Sequence, residues 1–128
     1  MIEFPVKQAR HVLPLIASLA LLSAGCTTRL TDFTIISTKN IDLSRAAEFV
    51  RGPGRVEGVD KKHIIIFIPT GVPNAKEATD RAIESMPGCV ALLDGVLEYQ
   101  WFYFPYVYGY NLYRVKGTPL IDPKQAQK

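Results

Sequence analysis

The sequence predicts an α+β fold. It should be a small two-layer sandwich in which a mixed β-sheet of about four to five strands carries one main helix on one face, in β-β-α-β-β order. Three observations lead there. Asn74 to Met86 carries the clearest helical pattern in the chain. Apolar runs of strand length, His63–Ile68 and Cys89–Leu97, flank it on either side. A tyrosine-rich segment from Tyr99 to Tyr113 follows, with Pro105 and Gly109 placed where a hairpin turns.

The N-terminal stretch reads as targeting rather than fold. Lys7, Arg10 and His11 form a basic lead-in, Val12–Leu22 is a short apolar run, and Ser23-Ala24-Gly25 are small. That is the three-part layout of a secretory signal. The run is shorter than the ~20 apolar residues a bilayer span needs, and Pro14 interrupts it. Leu22-Ser23-Ala24-Gly25-Cys26 resembles a lipobox, the site where bacterial lipoproteins are acylated on cysteine and cleaved just before it. Ser23 stands where that pattern prefers leucine. The competing reading is a buried N-terminal helix of a soluble protein. The lipobox predicts a cleaved signal peptide over 1–25 and a lipidated tether over 26–31. One α+β domain over 32–119 and a flexible C-terminal tail over 120–128 follow.

Formal charge is +3 for the whole chain. It falls to +2 once Lys7, Arg10 and Glu3 leave with the signal. Basic residues are scattered, with Lys61-Lys62 the only adjacent pair, so no nucleic-acid footprint is present. With Cys26 carrying acyl and diacylglycerol groups (palmitate among them), Cys89 is the only other thiol and no disulfide within the chain can form. Cys89 opens the apolar run Val90–Leu93, which predicts burial. His63 and Cys89 do not supply the ligand set a metal needs, and no cofactor is expected beyond the covalent lipid.

Along the mature chain, Phe33–Thr38 has the β-branched content of a strand. Lys39–Asp42 reads as a turn, Asp42–Val50 as a short helical turn, and Gly52-Pro53-Gly54 breaks it. Arg55–Gly58 reads as a short strand and Asp60-Lys61-Lys62 as a polar turn. His63–Ile68, continuously apolar, predicts a strand covered on both faces or roofed by aromatic rings. Pro69–Pro73 is a stiff loop into the helix, where Asn74 is the N-cap and Glu77 completes a capping-box-like start. Ala75, Ala78, Thr79, Ala82, Ile83 and Met86 form a narrow small-residue stripe that lets the helix axis lie close to a sheet. Glu77 and Arg81 are spaced for an i,i+4 pair. Ala82→Trp should overpack that seam by ~1–3 kcal/mol. Pro87-Gly88 ends the helix, and a strand–helix–strand unit of this length predicts a right-handed crossover onto a parallel strand. Asp94-Gly95 in mid-strand predicts a bulge. Asn111–Lys116 is the last strand, closed by Gly117-Thr118-Pro119, and the residues after Asp122 are expected to fray.

Several of these segments together resemble small bacterial envelope lipoproteins of uncharacterised function that include the TRL-like family. The matching residues are S-T-K-N at Ser37–Asn40, V-x-G at Val56–Gly58 and H-I-I-I-F-I-P-T-G-x-P-N at His63–Asn74. They continue with K-E-A-x-D-x-A-I-E at Lys76–Glu84, A-L-x-D at Ala91–Asp94, and P-Y-x-Y-G with V-x-G-T-P between Pro105 and Pro119. The resemblance implies a compact α+β lipoprotein domain with no established catalytic residues. A fainter similarity to envelope stress-sensor lipoproteins supports a fold analogy alone. In lipoprotein sorting of enteric bacteria, a residue other than aspartate after the lipidated cysteine favours the outer membrane. Thr27 is such a residue, which predicts anchoring there, facing the periplasm.

Candidate chemistry is thin. His63, Cys89, Asp94 and Asp80 are the residues an enzyme could use, but none has an orienting partner in the sequence. Glu98 is the only carboxylate near Asp94, and capping beside Gly95 suits Asp94 better. The loop before Asn74 could bind an anion at the helix N-terminus, but Pro69 and Pro73 remove amide donors. The stronger candidate is the aromatic segment. Alternation puts Phe104, Tyr106, Tyr108 and Tyr110 on one face and Tyr99, Trp101 and Tyr103 on the other, and one small helix cannot cover both. The expectation is a non-enzymatic interaction, assembly or sensing module. Trp101, Tyr103, Tyr106, Tyr108 and Tyr110 would meet an envelope protein, a glycan or the lipid interface. The alternative is a small-ligand or glycan binder, less readily a hydrolase, with a pocket between Pro69–Asn74 and the rings.

Overall fold

The computed structural model describes residues 6–21 and 24–128. Leu22 and Ser23 of the lipobox and Met1–Pro5 lie outside the described residues. The architecture is a mostly antiparallel six-stranded sheet with small helices, not the β-β-α-β-β sandwich the sequence predicts. The elements run α1 (Val6–Leu21), β1 (Ala24–Ile36), a 3₁₀ turn (Leu43–Glu48), β2 (Val50–Arg51), β3 (Val56–Ile65) and β4 (Ile68–Pro69). Then come α2 (Ala75–Glu84), β5 (Cys89–Phe104), β6 (Tyr108–Ile121) and α3 (Pro123–Ala126). The strand order is β1-β5-β6-β3-β4, with β2 on the end of β6. Every pairing is antiparallel.

The expected parallel pair fails for a topological reason. β3 and β5 are joined through α2 and do point the same way, but β6 lies between them and hydrogen-bonds both. The aromatic hairpin inserts its second strand into the gap that the crossover leaves. Antiparallel pairing on both sides of β6 is the result.

The segments read as tether and tail also fold. Cys26–Arg29 pair with Trp101–Glu98, so β1 starts as an edge strand with no slack before it. Its run of threonines and β-branched residues suits a strand. At the other end β6 reaches Ile121, and Asp122, 1 % exposed, caps α3 by accepting from the Lys124 N–H. Arg45 grips the same carboxylate with both guanidinium arms, at 2.9 and 3.1 Å, and ties the 3₁₀ turn to the C-terminus. Burial opposes ionisation of Asp122, but Arg45 and the Lys124 N–H outweigh it and hold the carboxyl below its usual range.

One face of the sheet carries α2. Ala78, Ala82 and Ile83 pack with Cys89, Leu92 and Val115, and Phe33, Leu97 and Tyr113 close the edges. The small-residue stripe does what its spacing implies, because Gly58 lies directly beneath it. A Cβ on Gly58 would sit 2.0 Å from the Ala78 carbonyl oxygen and 2.4 Å from the Ala82 nitrogen. Asp60 belongs to β3 rather than to a turn. Its side chain accepts from the Asn74 N–H at 2.8 Å, the donor Glu77 would take in a capping box. Lys62 and Arg81 complete its shell at 3.1 and 3.3 Å. Arg81 is thereby drawn away from Glu77, and the helix's own ion pair is Lys76–Asp80.

The other face has no helix. Leu112, 4 % exposed, sits there under long side chains laid across the strands. Lys61 Nζ lies 4.0 Å from the centre of the Tyr110 ring, Phe102 stacks on Tyr110 at 5.7 Å, and Gln100 donates to the Tyr110 hydroxyl. Aromatic bodies and aliphatic stems therefore shield this side while their polar ends stay wet. In β5 the register shifts between Leu93 and Val96, where the Asp-Gly pair predicts a bulge.

Candidate functional site

The apolar run His63–Ile68, expected to be a covered strand, is instead the tip of a hairpin. β3 ends at Ile65, Ile66 and Phe67 make the turn, and Ile68 pairs back onto Ile65. Ile65, Ile66, Phe67 and Ile68 are 53, 51, 62 and 72 % exposed. The second tip, Pro105-Tyr106-Val107, joins β5 to β6, with Tyr106 and Val107 exposed. The two tips meet. The Ile66 N–H donates to the Val107 carbonyl at 3.3 Å, and the Tyr103 hydroxyl donates to the Ile66 carbonyl at 3.0 Å. The Phe67 ring stands edge-on to Tyr106 at 5.2 Å. Below them His63 Nδ1 and the Tyr108 hydroxyl share a hydrogen bond.

Both turns use costly residues. Ile66 has φ +60 and Tyr106 φ +63, a left-handed conformation in which glycine or asparagine is the usual choice. For a β-branched residue such as Ile66 that is a genuine outlier. Strain of about 1–3 kcal/mol per residue persists where the side chain is wanted in place.

The register places the start of β1 at this same end. Ala24 pairs with Tyr103, Tyr103 with Gly109, Gly109 with Ile64, and Ile64 with Pro69. One row thus crosses the sheet from the first residue of β1 to the short hairpin. Two residues further from the tips, Cys26, Trp101, Asn111 and Lys62 form a parallel row. Cys26 is exposed.

The five aromatic residues singled out from sequence do not make a single ridge. Trp101 and Tyr103 share the α2 face with Cys26, whereas Tyr108 and Tyr110 lie on the opposite face with Phe102 and His63. Tyr106 belongs to neither, because it sits in the turn. What joins them is the end of the sheet. The isoleucines and Phe67 beside Tyr106 escaped sequence reasoning because no glycine, asparagine or aspartate marks their turn.

The catalytic candidates are held apart. His63 partners Tyr108 near the tips. Asp80, on α2, accepts from Lys76 and Thr38, which lower its pKa below the carboxylate norm. Asp94, in the β5 bulge, pairs with Arg51, and Glu98 turns to Lys116. Cys89 is buried, which pushes its thiol pKa up and disfavours the reactive thiolate. Among the described residues no cluster of His, Cys, Asp or Glu could hold a metal ion. The helix N-terminus considered for an anion is already taken by Asp60. Burial alone would raise that carboxyl, but the Asn74 N–H, Lys62 and Arg81 prevail and hold it ionised below its usual range. A groove of about 290 Å³ lies between β1 and α2, lined by Phe33, Ile36, Leu97, Val115, Thr38 and Lys76.

α1 precedes this site. Val12, Leu13, Leu15 and Ile16 on it are exposed, from 48 to 74 %, which is not the burial of a core helix. No described helix is long and apolar enough to cross a membrane. Comparison with protein-family models, curated proteins and solved structures finds no match to this chain.

Proposed function

We propose that the chain is a non-enzymatic lipoprotein of the bacterial cell envelope, anchored through Cys26 and acting as an interaction module through the aromatic end of its sheet. The observation that carries this reading is the position of Cys26. It closes a lipobox-like sequence, is exposed, and lies among the first paired residues of the edge strand β1, on the C-terminal side of a helix with exposed apolar side chains. The resemblance to TRL-like envelope lipoproteins points the same way, and Thr27 after the cysteine favours the outer membrane. The scattering of His63, Asp80, Asp94 and Cys89 over separate parts of the fold supports a binding rather than a catalytic role.

The test is the mass of the mature N-terminus from a host that processes lipoproteins, together with incorporation of labelled palmitate. The expected result is an acylated Cys26 with residues 1–25 removed and no label in Cys26→Ser. An unmodified chain starting at Met1 defeats the reading. The groove between β1 and α2 favours a second reading, a small apolar ligand. Thr38 and Lys76 at its rim, both bonded to Asp80 behind them, would orient a polar end. Medium-chain fatty acids that shift no NMR resonance of Phe33, Leu97 or Val115 would remove it.

A further inference from the structure

The exposed tips deepen the anchoring reading and rest on it for the seating of Cys26. We propose that the two hairpin tips, Ile65–Ile68 and Pro105–Val107, dip into the surface of a phospholipid bilayer and set the domain's orientation on it.

Three features of the fold commit the surface to this occupant. The first is the absence of slack. Cys26 is paired with Trp101 in the sheet, and Phe104, where the hairpin turns, is three residues beyond Trp101 along β5. At ~3.3 Å per residue the tips reach about 10 Å past the acylation point along the strand direction. A lipid anchored on Cys26 with its glycerol at the headgroups therefore carries the tips to the acyl boundary. That depth matches the ~5–10 Å typical of interfacial segments. The second is charge. From Lys61 to Lys76, and from Tyr99 to Ile121, the sequence contains no aspartate or glutamate. Nothing acidic within these segments opposes anionic headgroups, and exposed Lys61, its ammonium over the Tyr110 ring, is the basic residue placed to meet them. The third is composition. The apex carries Ile66, Phe67, Ile68 and Val107, and the ring-bearing residues Trp101, Tyr103 and Tyr108 lie behind it, the depth order of an interfacial aromatic belt. Left-handed Ile66 and Tyr106 fit the same purpose. Glycine would relax both turns, but would remove the side chains that enter the lipid.

The experiment uses the full chain, processed in a lipoprotein-competent host and reconstituted into vesicles of zwitterionic and anionic phospholipid. Trp101 is the sole tryptophan, so Trp101→Phe/Phe67→Trp places one emitter at the apex. Trp101→Phe/Val50→Trp places one on β2, at the opposite end of the sheet by its pairing with Ile121. Lipids brominated near the carbonyl end should quench the larger part of the Phe67→Trp emission and shift it to the blue. Val50→Trp should stay unquenched, and Ile68→Asp added to the Phe67→Trp chain should restore emission. A chain with acylated Cys26 that floats with vesicles, yet shows unquenched Phe67→Trp emission, overturns the inference and leaves the anchor standing. Quenching without an acyl mass supports the tips and removes the anchor. Neither quenching nor acylation removes both. A blue shift that depends on protein concentration and not on bromine assigns the tips to a second copy of the chain, and also overturns the inference.

Discussion

Gly58→Ala is the sharpest probe of how the sheet holds its helix. The added methyl meets the Ala78 carbonyl oxygen at 2.0 Å, the Ala82 nitrogen at 2.4 Å and the Ala82 Cβ at 2.8 Å. The first two are backbone atoms of a helix, so no rotamer change relieves them. Ordinary contact distances of ~3.2–3.4 Å require α2 to lift by roughly 1 Å, and a gap of that size forfeits a quarter to a half of each dispersion contact beneath it. Those contacts are the core itself, Ile83 against Leu92 and Val115. We expect a cost of about 3 kcal/mol, the upper end of the overpacking range. For a domain of this size that lowers Tm by about 12–24 °C. Thermal unfolding followed by far-UV and near-UV circular dichroism reads it. Adding Ala82→Gly should not rescue the variant, because it removes only the third contact and itself costs ~1 kcal/mol of helix propensity. A Gly58→Ala chain melting within ~3 °C of wild type, less than ~1 kcal/mol, refutes the close seating of α2 on β3.

Asp60→Asn should lose about 1–3 kcal/mol at neutral pH, since the Asn74 N–H, Lys62 and Arg81 lose their charged acceptor. The folded carboxyl titrates below its ordinary 3.8, so its stabilisation is present above that pH and disappears as pH falls through the folded value. The gap between wild type and variant in urea unfolding should therefore begin to narrow below about pH 4, and a gap that does not narrow as the pH is lowered further contradicts the assignment. Ile66→Gly should raise Tm by ~4–8 °C through relief of about 1 kcal/mol of left-handed strain, while weakening vesicle seating. A fall in Tm would show that the isoleucine side chain stabilises the turn. Asp122→Ala should lower Tm and expose the C-terminal residues to carboxypeptidase. Arg45→Lys should reproduce part of that loss, because an ammonium cannot span both carboxylate oxygens. Equal protease resistance in all three chains would disprove the clamp.

Some of this fold was legible before any coordinates. The α2 stripe, its Asn74 cap, the hairpin turn after Phe104 and the β5 bulge each rest on residues within a few positions of one another, and local chemistry decides them. The β3–β4 tip was not legible. Ile64–Ile68 reads as a buried strand because continuous apolarity ordinarily means cover on both faces, and no turn-forming residue interrupts it. Asp60 was misread for the complementary reason. A carboxylate beside two lysines looks like a surface turn until α2, fourteen residues later, brings the Asn74 N–H onto it.

By itself, then, the sequence determined the pieces: a lipobox-like N-terminus, one small-faced helix, and an aromatic segment from Tyr99 to Tyr113 without an acidic residue. Only the tertiary structure decided that β6 enters between β3 and β5 and that the supposed tether is an edge strand. It alone brought Cys26, Phe67 and Tyr106 to one end of the sheet. The reason is physical. Strand order and register are set by pairings between residues tens of positions apart, where burial of a shared core outweighs the local preferences that a sequence displays.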